Sequence, residues 1–156
     1  MRIGHGYDAH RTEAGKPLVL GGVKIESAFG LKAHSDGDVL LHALADAILG
    51  AAGLRDIGYF FPDTSDATLD MDSAEILRGA AAMAAERGFS VSYADCTVIA
   101  QRPKLSPYID NMRTAIAEIL SVPRDRVNVK ATTEEKMGFT GRGEGISAHA
   151  VVLLEE

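Results

Sequence analysis

The sequence predicts an α+β fold in which a mixed four-stranded core sheet carries helices on one face and follows an N-terminal hairpin. Short runs of alternating apolar and polar residues indicate strands, and longer runs with helical spacing indicate three helices. Strands and helices do not alternate regularly along the chain, as they would in a fold built on a parallel sheet. A mixed-sheet α/β arrangement is the alternative to α+β. The chain has 156 residues, of which 46% are apolar, enough for one domain (1–156) with a substantial core.

The N-terminal half begins with two predicted strands, at residues 2–11 and 17–25, which a turn-rich segment joins into the hairpin. A loop at 30–37 then leads into the first helix, at 38–52. Asp38 is its expected N-cap, and Gly53 is expected to end it. The loop that follows, at 54–71, is long, and loops of this length in compact domains are usually functional.

The C-terminal half contains two further helices and three strands. Residues 73–87 form the second predicted helix, with Asp72 or Ser73 as its cap, and residues 89–101 form a strand. Pro107 opens the third helix, at 106–121. Strands at 127–133 and 146–155 flank a glycine-rich loop at 137–145.

Composition excludes several classes of partner. The net charge is −6 and the chain has no run of Lys and Arg, which argues against nucleic acid and anionic membranes as partners. It has no signal-peptide core and no long apolar span, so we expect a cytoplasmic protein. Cys96 is the one cysteine; it lies in an apolar run and is expected to be a core residue.

Asp8, His10 and His42 form a candidate metal-binding set. Residues at i and i+2 of a strand point to the same face, so Asp8 and His10 lie together, with Gly4 and Gly6 leaving room beside them. His42 falls in the helix that follows His34-Ser-Asp-Gly-Asp38. One carboxylate and two imidazoles suit zinc with an open coordination position.

The alternative is that His42 is a hydrogen-bonded core histidine and that Asp8 and His10 form a polar strand edge. Each residue alone favours this alternative, whereas the set together favours a metal. Asp38 and Asp46 lie one helical turn before and after His42, and either could accept the second ring proton of His42.

Two further segments carry weaker signals. Thr132, Thr133 and Glu135 stand at the end of a predicted strand. Hydroxyls beside a carboxylate can bind phosphate and magnesium, although an exposed strand end is equally consistent. The glycine-rich loop lacks the Gly-Lys-Ser/Thr ending of a nucleotide-binding loop, so Arg142 within it is the better candidate for a single anion contact. The chain has no Gly-x-Ser-x-Gly motif for a nucleophilic serine.

Motifs along the whole chain resemble one enzyme family, the 2-C-methyl-D-erythritol 2,4-cyclodiphosphate synthases of the non-mevalonate isoprenoid pathway. The segments that carry the resemblance are Gly4-His-Gly-Tyr-Asp-Ala-His10, His34-Ser-Asp-Gly-Asp38, His42-Ala-Leu-Ala-Asp46, Asp56-Ile-Gly58, Phe61-Pro-Asp-Thr64, Lys130-Ala-Thr-Thr133 and Gly138-Phe-Thr-Gly-Arg-Gly-Glu-Gly145. The family converts 4-diphosphocytidyl-2-C-methyl-D-erythritol 2-phosphate into the cyclic diphosphate and CMP.

The resemblance implies a role for each matching residue. It implies one zinc per chain on Asp8, His10 and His42, and magnesium or manganese with the substrate diphosphate, on Glu135. His34 and Thr133 would act catalytically by steadying the transition state. The substrate-binding residues would include Phe61. Ser35, Asp56, Gly58 and Asp63 would contact the methylerythritol phosphate, Ala100, Lys104 and Leu105 the cytidine, and Thr132 the diphosphate. Phe139 and Arg142 would lie beside a central cavity.

The resemblance also implies a homotrimer whose sites lie between adjacent subunits, with a central cavity that can hold an isoprenoid diphosphate. The nucleophile would be the substrate's own 2-phosphate, so the protein must supply position and charge neutralisation rather than a strong base. Tyr7, Ser65-Asp66 and Glu134 depart from the family pattern. Glu134 is expected to add negative charge near the diphosphate.

Two other functions remain open on the residues alone. A zinc phosphohydrolase would direct water at the phosphate and release a linear product. A trimeric binding protein for phosphorylated metabolites would hold a structural metal, which a closed site with four ligands would favour.

Overall fold

The computed structural model describes residues 1–62 and 71–156. Seven strands and five helices follow one another along this part of the chain. In order they are β1 (Arg2–Ala14), β2 (Leu18–Leu20), β3 (Val23–Ile25), β4 (Phe29–Lys32), α1 (Val39–Ala52), α2 (Ile57–Phe60), α3 (Ser73–Glu86), β5 (Ser90–Ile99), α4 (Ile109–Leu120), β6 (Val127–Thr132), α5 (Gly138–Gly141) and β7 (Gly145–Glu155).

The core sheet has five strands in the order β4-β1-β7-β5-β6. Only β5 and β6 are parallel; every other neighbouring pair is antiparallel, so the predicted α+β class with a mixed sheet is confirmed. The predicted number of four strands is wrong, because residues 29–32 add β4 at the edge of β1.

The predicted N-terminal hairpin is also wrong. β1 pairs along Arg2–Arg11 with β7 at the opposite end of the chain, and its last residues pair with β4. The second predicted strand divides at the Gly21-Gly22 turn, and its halves form a separate small hairpin of β2 and β3. The pairing with β7 satisfies the backbone of β1 along Arg2–Arg11, and β4 pairs with its last four residues, Arg11–Ala14.

Helix α1 is the centre of the core, and its ends are those that the sequence predicts. The buried Asp38 carboxylate accepts hydrogen bonds from the backbone N–H groups of Leu40 and Leu41, at 3.2 and 3.1 Å. Gly53, with a φ of +73°, ends the helix. Nearly every side chain of α1 is buried, because β1 and β7 pack on one side and α3 on another.

The helices pack on one face of the sheet. Alternate residues of β5 and β7 are buried against them, such as Cys96, whose predicted place in the core is confirmed. The opposite face, which we call the open face, presents Ile3, Tyr7, Tyr93 and Val151, which are 72%, 47%, 40% and 44% exposed. No helix among the described residues is long and apolar enough to cross a membrane.

Candidate active site

Asp8, His10 and His42 meet where β1 crosses α1. The Asp8 carboxylate oxygen Oδ2 lies 2.8 Å from His10 Nε2 and 3.0 Å from His42 Nδ1, and the two imidazole nitrogens are 3.1 Å apart. The three residues offer one ligand atom each, all within 4.8 Å of one another. The structure therefore places the three predicted ligands in one group that could hold a metal ion.

Two glycines explain how β1 and α1 come so close. A Cβ atom on Gly6 would lie 1.8 Å from the carbonyl oxygen of Ala43, and one on Gly4 would lie 1.9 Å from that of Ala47. The space beside the ligands is thus filled by the backbone of α1. This close contact brings the strand that carries Asp8 and His10 against the helix that carries His42.

The charges in this group influence one another. Burial raises the pKa of Asp8, but hydrogen bonds and charge from His10 and His42 outweigh it and hold that pKa below its usual range. Burial opposes a charge on His42, yet its hydrogen bond to Asp8 and the carboxylate's charge raise the pKa of His42 above 6.5. The negative charge of Asp8 and a positive charge on His42 therefore stabilise each other.

The second ring nitrogen of His42 is held by hydroxyl groups. Nε2 of His42 lies 2.8 Å from Ser73 Oγ and 3.2 Å from Ser35 Oγ. Because Nδ1 faces the other two candidate ligands, Nε2 would carry the ring proton when a metal is bound. The Ser73 hydroxyl in turn donates to the Asp36 carboxylate. Ser73 and Asp36 are site residues that the sequence did not reveal; each was visible only as a possible cap or loop residue.

The predicted role of Asp38 or Asp46 as proton acceptor for His42 is wrong. Besides capping α1, Asp38 accepts the N–H groups of Gly21 and Gly22, at 2.9 and 2.7 Å. Asp46 accepts the N–H of Ile57, at 2.8 Å. Both carboxylates are therefore occupied by the backbone, and they fix loops around the site.

A cavity of about 450 Å³ opens from the metal-ligand group. His34, Ser35, Gly58 and Phe61, all predicted to be substrate-binding or catalytic, line it together with Lys32. His34 Nε2 is buried and has no hydrogen-bond partner among the described residues, which leaves it available to a ligand. The cavity therefore combines a lysine and hydrogen-bonding groups with apolar side chains, a mixture that suits a phosphorylated organic molecule.

Asp56, a predicted substrate-binding residue of the long loop, is not among the residues that line this cavity. The Asp56 carboxylate caps α2 by accepting the N–H of Tyr59, at 2.9 Å. Asp63 and the departures Ser65 and Asp66 lie outside the described residues.

A second cavity, of about 330 Å³, contains the predicted nucleotide-binding residues. Its described wall shares no residue with the first cavity. Its lining includes the predicted residues Ala100, Lys104, Leu105, Thr132 and Thr133. Residues that the sequence assigned separately to cytidine and to diphosphate thus meet in one place, where β5 and β6 end side by side.

The segment after β6 is ordered by its own polar side chains. The Thr133 hydroxyl donates to the Glu135 carboxylate, at 3.2 Å, and accepts the Glu135 N–H, at 3.3 Å. Glu134 accepts a hydrogen bond from the Thr140 hydroxyl. The Glu134 carboxylate therefore contacts α5, and the effect of its charge on a diphosphate stays a prediction.

Phe139 and Arg142 stand differently toward a third, smaller cavity of about 190 Å³, which Phe139 lines and Arg142 does not. Phe139 lines this cavity together with His10 and Arg11. Arg142 is exposed and pairs with Glu144, its Nε lying 2.7 Å from the carboxylate. Neither residue lines either of the two larger cavities.

Known proteins resemble this chain over its whole length. The model of the YgbB family matches residues 1–155. A 2-C-methyl-D-erythritol 2,4-cyclodiphosphate synthase from Geobacillus kaustophilus is 58% identical over 156 residues, which is 100% of this chain and 99% of that protein.

Solved structures agree with this relationship. The bifunctional IspDF from Campylobacter jejuni superposes with a TM-score of 0.95 at 48% identity, over 98% of this chain and 42% of that one. A 2C-methyl-D-erythritol-2,4-cyclodiphosphate synthase with bound CDP gives a TM-score of 0.91 at 40% identity, over 99% of this chain and 100% of that one. The resemblance seen in the motifs is confirmed, and the chain belongs to the YgbB family, that of the 2-C-methyl-D-erythritol 2,4-cyclodiphosphate synthases.

Proposed function

We propose that this chain is a cyclising lyase that forms 2-C-methyl-D-erythritol 2,4-cyclodiphosphate and CMP from 4-diphosphocytidyl-2-C-methyl-D-erythritol 2-phosphate. An oxygen of the 2-phosphate attacks the β-phosphorus, and the bond from that phosphorus to the oxygen bridging to the α-phosphate breaks. CMP leaves with that oxygen. The observation that carries the proposal is the Asp8, His10 and His42 group at the wall of a cavity that His34 also lines, in a chain of this family.

The metal-ligand group fits zinc. It combines one carboxylate oxygen with two imidazole nitrogens, and three protein ligands leave a coordination position open for substrate. Zinc bound there would supply a Lewis acid that holds a phosphate oxygen. Magnesium or manganese, which prefers oxygen ligands, would be held through Glu135.

The protein's own residues would position the substrate. The ring nitrogen Nε2 of His34, which has no partner among the described residues, can donate a hydrogen bond to a phosphate oxygen. Lys32 adds a positive charge to the same cavity. Ser35, Gly58 and Phe61 complete the wall beside the methylerythritol group. The attacking phosphate is already anionic at neutral pH, so the reaction needs no general base. The contribution of the protein is to hold the 2-phosphate close to the β-phosphorus.

The second cavity would hold the cytidine diphosphate. Ala100 and Leu105 give it apolar walls, Lys104 gives it a cation, and Thr132 and Thr133 add hydroxyl groups at one end. CDP bound to a relative of the same fold supports this assignment. Lys104→Ala should weaken CDP binding without changing the metal content, and equal affinity of the native chain for CDP and ADP would contradict the assignment.

We further propose a homotrimer in which each reaction site combines cavities from two adjacent chains. Two observations support this. The two cavities share no described lining residue within one chain, and the open face leaves large apolar side chains exposed on the sheet. A central cavity between the subunits, near Phe139 and Arg142, would admit an isoprenoid diphosphate.

Phosphorus NMR of the zinc-loaded protein with the diphosphocytidyl substrate tests the proposed reaction. We expect the cyclic diphosphate and CMP in equal amounts. A linear phosphate product would instead favour a phosphohydrolase, and binding without turnover would favour a metabolite-binding protein. His42→Ala is the matched negative control, since it should lose most of the metal and the activity while remaining folded.

A further inference from the structure

Two histidines lie away from the metal-ligand group and its cavity. His5 is on β1 and His149 is on β7, and both side chains are on the open face of the sheet, opposite to Asp8 and His10. Tyr7 pairs with His149 across the two strands, so His5 is the diagonal neighbour of His149. The pair is therefore carried by two neighbouring, hydrogen-bonded strands and is separate from the site described above.

The geometry of the two rings is close to that of a chelate. His5 Nε2 lies 3.0 Å from His149 Nδ1, and the ring centroids are 5.3 Å apart. The Tyr7 ring packs against His149 with centroids 4.8 Å apart, which limits the orientations that His149 can adopt. Two imidazole nitrogens that already converge lose little conformational freedom when an ion binds between them.

The spacing suits bonds from both nitrogens to one ion. Two bonds of about 2.0–2.1 Å to nitrogens 3.0 Å apart enclose an angle of about 91–97°. This is close to the right angle of the square-planar or octahedral coordination that Cu²⁺ and Ni²⁺ adopt, and imidazole is a ligand that suits both ions. One of the two facing nitrogens now carries the proton of the hydrogen bond between the rings. When an ion binds, that ring would carry its proton on its other nitrogen, so that both facing nitrogens present lone pairs to the ion.

We propose that His5 and His149 form a second metal site, which takes a divalent transition ion of the Ni²⁺ or Cu²⁺ class. The two imidazoles supply two ligands, and water or a neighbouring chain supplies the rest. The site is chemically independent of the proposed cyclisation, since it lies on the other face of β1. Its ion would link β1 to β7, two neighbouring strands of the sheet.

Nickel titration of the full, zinc-loaded chain tests the proposal. Bound nickel and retained zinc are measured together by elemental analysis after desalting, and the affinity is measured by calorimetry. We expect one nickel per chain with the zinc retained, or one per three chains if an ion is shared between subunits. His149→Gln and His5→Gln should each weaken nickel binding by about tenfold or more, since even outer-shell partners contribute that much.

Val151→Thr is the matched control, because Val151 lies opposite His5 on the same face and offers no ligand nitrogen. It should leave nickel binding unchanged. As a second measurement, the electron paramagnetic resonance spectrum of bound Cu²⁺ should show coupling to two imidazole nitrogens in the native chain and to one in each His→Gln variant. Nickel uptake that both His→Gln variants retain, or that releases an equal amount of zinc, would overturn the proposal.

Discussion

His42 is held at both of its ring nitrogens, and the two sets of contacts have different tasks. Nδ1 faces Asp8 and His10, which are the other candidate ligands. Nε2 faces the hydroxyl of Ser73, which in turn donates a hydrogen bond to the Asp36 carboxylate. A hydrogen-bonded partner at the second nitrogen fixes the tautomer and raises the basicity of a ligating imidazole, so we assign Ser73 as a positioning residue.

Ser73→Ala should therefore weaken zinc binding by about 10–100-fold while Asp8, His10 and His42 remain in place. Competition with a chromophoric chelator measures the affinity. Ser73→Thr keeps the hydroxyl and should recover part of the loss. An unchanged zinc affinity in Ser73→Ala would show that Ser35, at 3.2 Å, is sufficient.

The raised pKa of His42 makes the effect of metal on stability depend on pH. In the metal-free protein this raised pKa contributes stability that is complete below the ordinary value of 6.5 and disappears as the pH rises through the folded value. Zinc needs the neutral imidazole and therefore binds more tightly as the pH rises. The Tm difference between zinc-loaded and metal-free protein should widen from about pH 6 to about pH 8. A difference that narrows over this range would contradict the assigned shift.

Among the secondary-structure elements, β1 and α1 depend on each other most closely. Gly6→Ala places a methyl group 1.8 Å from the carbonyl oxygen of Ala43, which cannot move without displacing the helix. We expect a loss of about 2–3 kcal/mol in the free energy of unfolding, together with weaker metal binding.

Gly50→Ala provides the control for this prediction. Gly50 lies in α1, and an added Cβ there meets no atom within 4 Å. This variant should gain about 0.5–1 kcal/mol, because alanine loses less conformational entropy in a helix than glycine. Denaturant unfolding followed by circular dichroism measures both variants. Equal stabilities for the two would show that the close contact of β1 with α1 is not a constraint.

The elements that the sequence predicted well are those defined by local chemistry. Asp38 and Gly53 mark the ends of α1, and Ser73 begins α3, because capping involves residues within one helical turn. The pairing of β1 with β7 could not be predicted, since alternation along a strand shows which residues share a face and not which strand lies beside it. The contact of Ser73 with His42 was missed for the same reason, because it depends on the packing of α3 against α1.

At the scale of the whole molecule, the two larger cavities require an explanation. One is lined by the metal-ligand group and His34, and the other by Lys104 and Thr133, and their described walls have no residue in common. We propose that a reaction using both brings them together across a subunit boundary. The central claim is therefore that the chain acts as an oligomer in which each site is completed by a neighbour.

Mixing two inactive chains tests this claim most directly. His42→Ala damages the metal side of a site, and Lys104→Ala damages the nucleotide side. In cyclic trimers formed by random equal mixing, about a quarter of all sites join two intact sides. Co-refolding the two variants should thus restore about a quarter of the native rate of CMP release, whereas each variant refolded alone should stay near its own residual rate. A mixture whose rate never exceeds the average of the two separate variants would contradict the claim and place each complete site within one chain.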